Sequence, residues 1–314
     1  MKYILSKRPF RKEFLDRIAQ IAPEYQFETD PANVDWQQVQ ITVGWQKDWE
    51  EQLLTPNSSL AWVQSLSAGV DTLPLAQFQQ QGIILSNASG IHTRSITEHV
   101  LACLFMDVRG FPKAIANQQK HLWSGADMRY GYLSEQKILI VGTGEIGQEL
   151  AKSLAELNIT TTGINTTGHK AAGFSRTAPI TELQAEAAEA DYIVNILPLT
   201  PETHHLYNQH FFANVKSSAA FLNVGRGASV DTQALTDALQ QGRLRQAYLD
   251  VVEEEPLASN HPLWQMENCL ITPHISGMTP HFEKAFMEIF LENLEGFVKD
   301  GKLWRNQVTL KAGY

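Results

Sequence analysis

Residues 137–147 read Lys137-Ile-Leu-Ile-Val-Gly142-Thr-Gly-Glu-Ile-Gly147. The run 138–141 is wholly apolar, as a strand buried on both faces requires. A helix is expected from about 148 to 157. The glycine triplet alone says little: with 20 glycines in 314 residues, chance supplies it about once in a dozen chains of this kind. Its position is what counts. It directly follows a buried strand and directly opens a helix, the arrangement that dinucleotide binding needs. Gly142 permits a tight turn, Gly144 lets backbone approach a pyrophosphate, and Gly147 lets helix and strand pack closely. The helix start then turns free N–H groups and positive dipole on the phosphates, so 142–147 with Thr143, Glu145 and Ile146 form the expected cradle.

Strands alternate with helices on both sides of this stretch. Expected strands upstream are 3–5, 25–28, 41–44, 62–66 and 83–86, with a helix over 11–22. Those downstream are 159–164, 192–196, 220–224, 247–251 and 269–271. Such alternation predicts parallel sheets with helices on their faces. Between the two series lies a long helix with an apolar face, Ile96, Val100, Leu104 and Val108. Thr93 or Ser95 is a candidate cap, and Gly110 with Pro112 an end. This helix reads as the connection between two α/β domains. A last amphipathic helix is expected over 280–299.

Length and composition agree. A chain of 314 residues fits about two domains. Hydrophobic residues make up 43% and charged residues 19%, enough for a real core. The net charge of -9 argues against a nucleic-acid partner. No apolar run reaches membrane-spanning length, and the start is too short in apolar residues for a secretory signal. Cys103 and Cys269 give neither a disulfide framework nor a thiolate metal site. The expectation is a cytoplasmic protein without metal or membrane contact.

The adenosine end departs from the usual pattern. An NAD site normally carries Asp or Glu at the tip of the second strand, about 20 residues after the glycines. Here the tip reads Gly163-Ile-Asn165-Thr-Thr-Gly-His-Lys170, and no acid occurs between Glu156 and Glu182. Asn165 stands in the carboxylate's place. Thr166, Thr167, His169 and Lys170 suit a 2′-phosphate, so NADP is expected over NAD. The other reading is an NAD enzyme with Asn165 as a neutral ribose partner.

Three segments at strand ends carry chemistry. They are Asn223-Val-Gly-Arg226-Gly-Ala-Ser-Val-Asp231, Asp250-Val-Val-Glu-Glu-Glu255-Pro-Leu257 and Thr272-Pro-His274-Ile-Ser-Gly277. Ligands of doubly wound sheets bind outside the carboxyl ends of the strands. A guanidinium binds a substrate carboxylate and polarises a carbonyl. A histidine gives a proton to the carbonyl oxygen. A carboxylate beside a histidine orients it and favours its protonated form.

Together these segments resemble the D-isomer-specific 2-hydroxyacid dehydrogenases, the family of phosphoglycerate dehydrogenase and glyoxylate/hydroxypyruvate reductase. Further signatures are Ser67-Ala-Gly-Val-Asp71 and Leu197-Pro-Leu-Thr-Pro-Glu-Thr203, so the likeness covers almost the whole chain. The resemblance implies NAD(P)-dependent reduction of a small 2-keto acid, with glyoxylate, hydroxypyruvate or 3-phosphohydroxypyruvate among the substrates. It implies Arg226, Glu255 and His274 as catalytic residues, Glu255 being the acid before the proline. Leu197, Pro198, Val224, Gly225 and Asp250 are implied in the cofactor site. The turn Ser67, Ala68, Gly69 and Val70 is implied to hold the substrate carboxylate on backbone N–H groups, together with Arg226 and His274.

The implied architecture is two doubly wound parallel-sheet domains. A Rossmann cofactor domain, residues 99–285, is inserted into a flavodoxin-like substrate domain, 1–98 and 286–314, with hinges near 96–100 and 280–286. A homodimer through the cofactor domain is implied too. Two departures are Val252, where an aromatic is common, and the segment 87–94, whose His92 and Arg94 either face the cleft or cap the long helix. The chain stops at Tyr314, so the regulatory domain of longer phosphoglycerate dehydrogenases is not expected. A dinucleotide-sensing corepressor-like protein without turnover is the competing reading. Formate dehydrogenase-like chemistry is disfavoured by Glu255, since a glutamine stands there in that subfamily.

Overall fold

A computed structural model describes residues 1–126 and 128–311. The chain forms two compact units, Met1–Ile91 with Thr279–Tyr314, and His92–Met278. The sequence alone puts the divisions at 98/99 and 285/286. The helix Thr93–Val108 belongs entirely to the second unit: Ile96, Val100 and Leu104 pack with Ile138, Ile140, Leu150 and Leu154. The expected bridge between domains is thus a core element of one of them.

The first unit holds β1 (Lys2–Ser6), β2 (Tyr25–Glu28), β3 (Val39–Val43), β4 (Trp62–Gln64) and β5 (Ile84–Ser86) in the order β2-β1-β3-β4-β5. All pairings are parallel, which is the flavodoxin-like order. The last helix, Phe282–Asp300, buries Phe286, Phe290 and Leu294 against Ile4, Ile41 and Trp62.

The second unit holds β6 (Ile138–Val141), β7 (Thr161–Asn165), β8 (Arg176–Pro179), β9 (Tyr192–Asn195), β10 (Ala220–Asn223), β11 (Gln246–Leu249) and β12 (Cys269–Ile271). Their order is β12-β11-β10-β9-β6-β7-β8, again all parallel. Counted from β6 this is the Rossmann order with one strand added, and its switch point lies between β6 and β9. Alternate residues split cleanly between two cores. Leu139, Val141, Ile193, Phe221 and Leu249 enter one; Ile138, Ile140, Val194, Leu222 and Tyr248 enter the other. Burial on both faces explains why these strands read as continuous apolar runs.

Several local expectations are corrected. The cap of Thr93–Val108 is His92, without a side-chain bond. Ser95 Oγ donates to the His92 carbonyl at 3.1 Å, and the buried Thr93 hydroxyl has no partner. Gly110, in the left-handed region at φ +73, does end that helix, but Pro112 sits in the first turn of another, Phe111–Gln119, where a missing N–H costs nothing. Strand β8 escapes the sequence pattern because Ala178 is its one buried residue. Among the described residues no helix is long and apolar enough to cross a membrane.

One polar cluster pins the 93–108 helix to the sheet. Asp107, 2% exposed, accepts from both guanidinium nitrogens of Arg245 at 2.9 and 2.7 Å. It also accepts from the hydroxyls of Tyr192 at 2.6 Å and Tyr248 at 2.8 Å. Burial raises the Asp107 carboxyl, but Arg245 and the two tyrosines together outweigh it and leave it below the usual carboxylate range. Its contribution is therefore present at neutral pH and is lost as pH falls below that range. Asp107→Asn should cost about 3–5 kcal/mol, the usual loss when a buried pair is broken. Urea unfolding measures this, and the variant's stability should vary less with pH in the acid range; a loss near zero contradicts the assignment.

Candidate active site

The glycine turn is built by close approach. Gly142 takes φ +111, and a Cβ there meets the backbone carbon of Ile196 at 3.3 Å. A Cβ at Gly147 collides with the Gly142 carbonyl oxygen. Gly144 differs: a Cβ there meets nothing within 4 Å. Gly144 caps the helix Glu145–Glu156 without a side-chain bond. An open approach thus leads to the N–H groups at 144–146, the space a pyrophosphate needs, so these residues fit a dinucleotide. Thr143 is tied down from both sides, by Gln148 Nε2 to its carbonyl at 3.0 Å and by Asn165 Nδ2 to its hydroxyl at 3.0 Å.

Asn165 is committed internally. Besides Thr143, its amide donates to the His169 carbonyl at 2.8 Å. Its oxygen accepts from the N–H groups of Thr167 at 3.2 Å and Gly168 at 2.7 Å. Asn165 shapes the turn after β7, while Thr166, Thr167, His169 and Lys170 stay exposed.

Arg226, Glu255 and His274 follow β10, β11 and β12, three neighbouring parallel strands. Their loops therefore leave the same edge of the sheet. The β9 and β10 loops touch at Gly225, where a Cβ meets the Leu197 carbonyl oxygen at 2.7 Å. At Gly227 a Cβ collides with the Val252 carbonyl, so the arginine loop and the acidic loop are pressed together at a position only glycine fills. Pro198 offers its carbonyl to Thr203 Oγ1 at 2.8 Å. Val224 donates its N–H to Asn195 at 3.1 Å.

The Arg226 backbone is fixed by residues that the sequence reading does not single out. Its carbonyl accepts from Ser229 Oγ at 2.6 Å and Asn223 Nδ2 at 3.2 Å. Buried Asn195 links Asn223, Ser229 and Tyr207 at 2.9, 2.9 and 3.1 Å. A polar residue ending an apolar strand, as Asn195 and Asn223 do, is the available signal. The half-buried Arg226 side chain turns one nitrogen onto the Gly225 carbonyl at 2.9 Å.

His274 Nδ1 lies 2.7 Å from Glu255 Oε2. Glu255 Oε1 accepts from the Val252 N–H at 3.2 Å. Of the three consecutive acids, Glu253 instead pairs with His205. The His274 and Glu255 side chains are 56% and 37% exposed. With Nδ1 facing Glu255, Nε2 is the nitrogen left to serve a ligand.

Asp250 holds this arrangement. Its carboxylate accepts from Thr272 Oγ1 at 2.6 Å and from the N–H groups of Ile275 and Ser276, each at 2.9 Å. Burial raises its carboxyl, but the bonds from Ser276, Thr272 and Ile275 outweigh burial and lower it overall. His274, at φ +54, donates its N–H to the Asp250 carbonyl at 2.8 Å. His92 bonds the Gly277 carbonyl at 2.6 Å. Arg94 lies at the surface with Glu98, at 2.7 Å.

In the first unit, the 67–70 turn is held by its carbonyls. Ser67 accepts from Ser65 Oγ at 3.0 Å and from the Ala88 N–H at 3.1 Å. Ala68 accepts from Asn87 Nδ2 at 2.7 Å. Val70 anchors the turn with a buried side chain, beside Gly69.

Residues 101–276 match the family described as D-isomer specific 2-hydroxyacid dehydrogenase, NAD binding domain. The chain belongs to this family. It is 32% identical over 271 residues to a glyoxylate/hydroxypyruvate reductase B of Escherichia coli, covering 85% of this chain and 83% of that one. A phosphoglycerate dehydrogenase structure from Lactobacillus plantarum is 42% identical with a TM-score of 0.60, covering 98% of this chain and 100% of that one. A D-isomer specific 2-hydroxyacid dehydrogenase from Xanthobacter autotrophicus Py2, in complex with NADPH and MES, is 26% identical with a TM-score of 0.85 and covers 100% and 99%.

Proposed function

We propose that this dehydrogenase reduces a small 2-keto acid of the glyoxylate, hydroxypyruvate or 3-phosphohydroxypyruvate type to the D-2-hydroxy acid. The observation that carries the reading is the 2.7 Å His274–Glu255 pair, at the same sheet edge as Arg226 and the glycine turn. When bound at the glycine turn, a dinucleotide would supply the hydride for the keto carbon. The Arg226 guanidinium binds the substrate carboxylate and polarises the keto group, its backbone fixed so that little ordering remains at binding. His274 gives the Nε2 proton to the substrate oxygen, and Glu255 holds the imidazole by Nδ1 and compensates its charge. The second unit serves as cofactor domain and the first as substrate domain. In the first, the N–H groups of 67–70 take the substrate carboxylate, a role suited to such a turn. Asp250 acts in the cofactor domain as a positioning residue for His274.

NADPH is the preferred reductant in this reading. The turn at 166–170 offers hydroxyls and Lys170 without a carboxylate to repel a 2′-phosphate, and Asn165 is occupied elsewhere. The Xanthobacter relative holds NADPH. A homodimer is favoured by apolar side chains left in solvent on the second unit. These include Phe111 at 52%, Leu122 at 53% and Trp123 at 103% exposure, close in sequence and available to a second copy. A cytoplasmic location fits a reductase with two free thiols, Cys103 and Cys269.

A panel of 2-keto acids assayed with both reduced cofactors tests the reaction. His274→Ala should lower turnover by roughly 10²–10⁴-fold. Glu255→Gln should also lower turnover, with cofactor KM little changed, because the imidazole loses the carboxylate that holds it by Nδ1. Near-normal turnover without His274 removes it from proton transfer. KM should be lower for NADPH than for NADH, and Lys170→Ala should raise the NADPH value several-fold with little change for NADH; an NADH preference in the unaltered enzyme refutes that part. Sedimentation should give a dimer that Trp123→Glu weakens, and a monomer mass for the unaltered chain rules the dimer out.

A further inference from the structure

The acidic loop carries a second histidine–carboxylate pair that the reaction does not use. His205 Nε2 lies 2.5 Å from Glu253 Oε1. His204 stands beside His205 with the rings stacked, their centroids 4.1 Å apart. One ligand atom from each of His204, His205 and Glu253 lies within 4.8 Å of the others. This is the one such group of three found among the described residues.

From this geometry we propose a binding site for a borderline divalent transition metal, with Zn2+ as the reference ion, on His204, His205 and Glu253. Two imidazoles and one carboxylate suit Zn2+, Co2+ or Ni2+, and not Mg2+ or Ca2+, which take oxygen ligands. A tetrahedral zinc with bonds of about 2.0–2.2 Å sets its ligand atoms roughly 3.3 Å apart. The three ligand atoms already lie within 4.8 Å of one another, so small side-chain rotations complete the set.

The backbone prepares this convergence. His205 takes φ +49, in the left-handed region, which costs energy for a residue with a Cβ. The conformation is held by the His205 N–H, which donates to the Ala228 carbonyl at 3.0 Å. Adjacent residues on an extended chain point to opposite sides; this turn stacks the two rings instead. Glu253 also has outer support. Its second oxygen accepts from the Thr232 N–H at 3.3 Å, fixing the carboxylate as ligand partners usually are. The site opens to solvent through exposed His204, so an ion has an entry path and the fourth position is left for water. No thiolate takes part, and His205 and Glu253 stand 48 residues apart, which is why cysteine spacing predicts no metal here.

The test uses the whole protein after chelator dialysis. Calorimetric titration with ZnCl2 should show one equivalent bound. Titration with CoCl2 should give the visible absorption of four-coordinate cobalt. His204→Gln and Glu253→Gln should each weaken binding at least about tenfold, with unchanged circular dichroism for the exposed His204 variant. His274→Gln should leave binding intact. Absence of binding to the unaltered protein overturns the site. So does equal binding by His204→Gln, or binding lost with His274→Gln, which assigns the ion to the Glu255 pair. None of these readouts needs turnover, so the proposal stands or falls separately from the reaction.

Discussion

The carboxylate of Asp250, 3% exposed at the end of β11, governs the geometry of the reactive edge. An ion at that depth costs several kcal/mol to desolvate unless donors surround it. Its own strand spends its N–H groups on the sheet ladder, so the donors come from the chain leaving β12. Thr272, Ile275 and Ser276 close around the carboxylate. With residues 272, 275 and 276 fixed, His274 between them takes the left-handed conformation. The imidazole is then carried to Glu255 as a consequence of satisfying a buried charge at the end of the neighbouring strand. A loop without that anchor would offer the same residues without their orientation.

Close approach supplies the second constraint. Parallel neighbours lie about 4.8 Å apart, and the loops leaving them crowd unless some positions lack side chains. Gly142 against Ile196, Gly225 against Leu197 and Gly227 against Val252 are those positions. Each joins a different pair of loops across the sheet edge. Their contacts make one continuous rim from the glycine turn to the acidic loop. That rim presents fixed dipoles and charges to a ligand, with little to reorganise when charge develops. The glycines at 225 and 227 flank Arg226, so the arginine is bracketed by the two residues that let its backbone sit close to neighbouring loops.

What the sequence discloses follows from how local each cause is. The buried strands are legible because burial on two faces writes itself as contiguous apolar residues, as in 138–141. The glycine turn is legible because its glycines lie within six residues. Strand β8 is not, since an edge strand with Arg176 and Pro179 needs no apolar pattern. The Asp107–Arg245 clamp is hidden by a separation of 138 residues, and the Asn195 network by the fact that asparagine at a strand end also reads as a turn. Asp250 shows the same limit. Its place in a motif is visible, but whether its carboxylate faces a ligand or the next loop depends on where the chain after β12 runs.

The ribose end shows why one substitution is a rebuilt turn and not a swap. A carboxylate at 165 has acceptors alone, whereas Asn165 donates to Thr143 Oγ1 and to the His169 carbonyl while its oxygen takes two N–H groups. An aspartate there keeps the two accepted bonds and can take the Thr143 hydroxyl as a donor, but it loses the bond to the His169 carbonyl and leaves that carbonyl facing a negative oxygen. The tip of β7 would then open. The amide therefore draws the turn inward on itself, and the groups that remain outside are hydroxyls and an ammonium. A ligand meeting this surface finds donors and positive charge where the common form of the motif presents an anion.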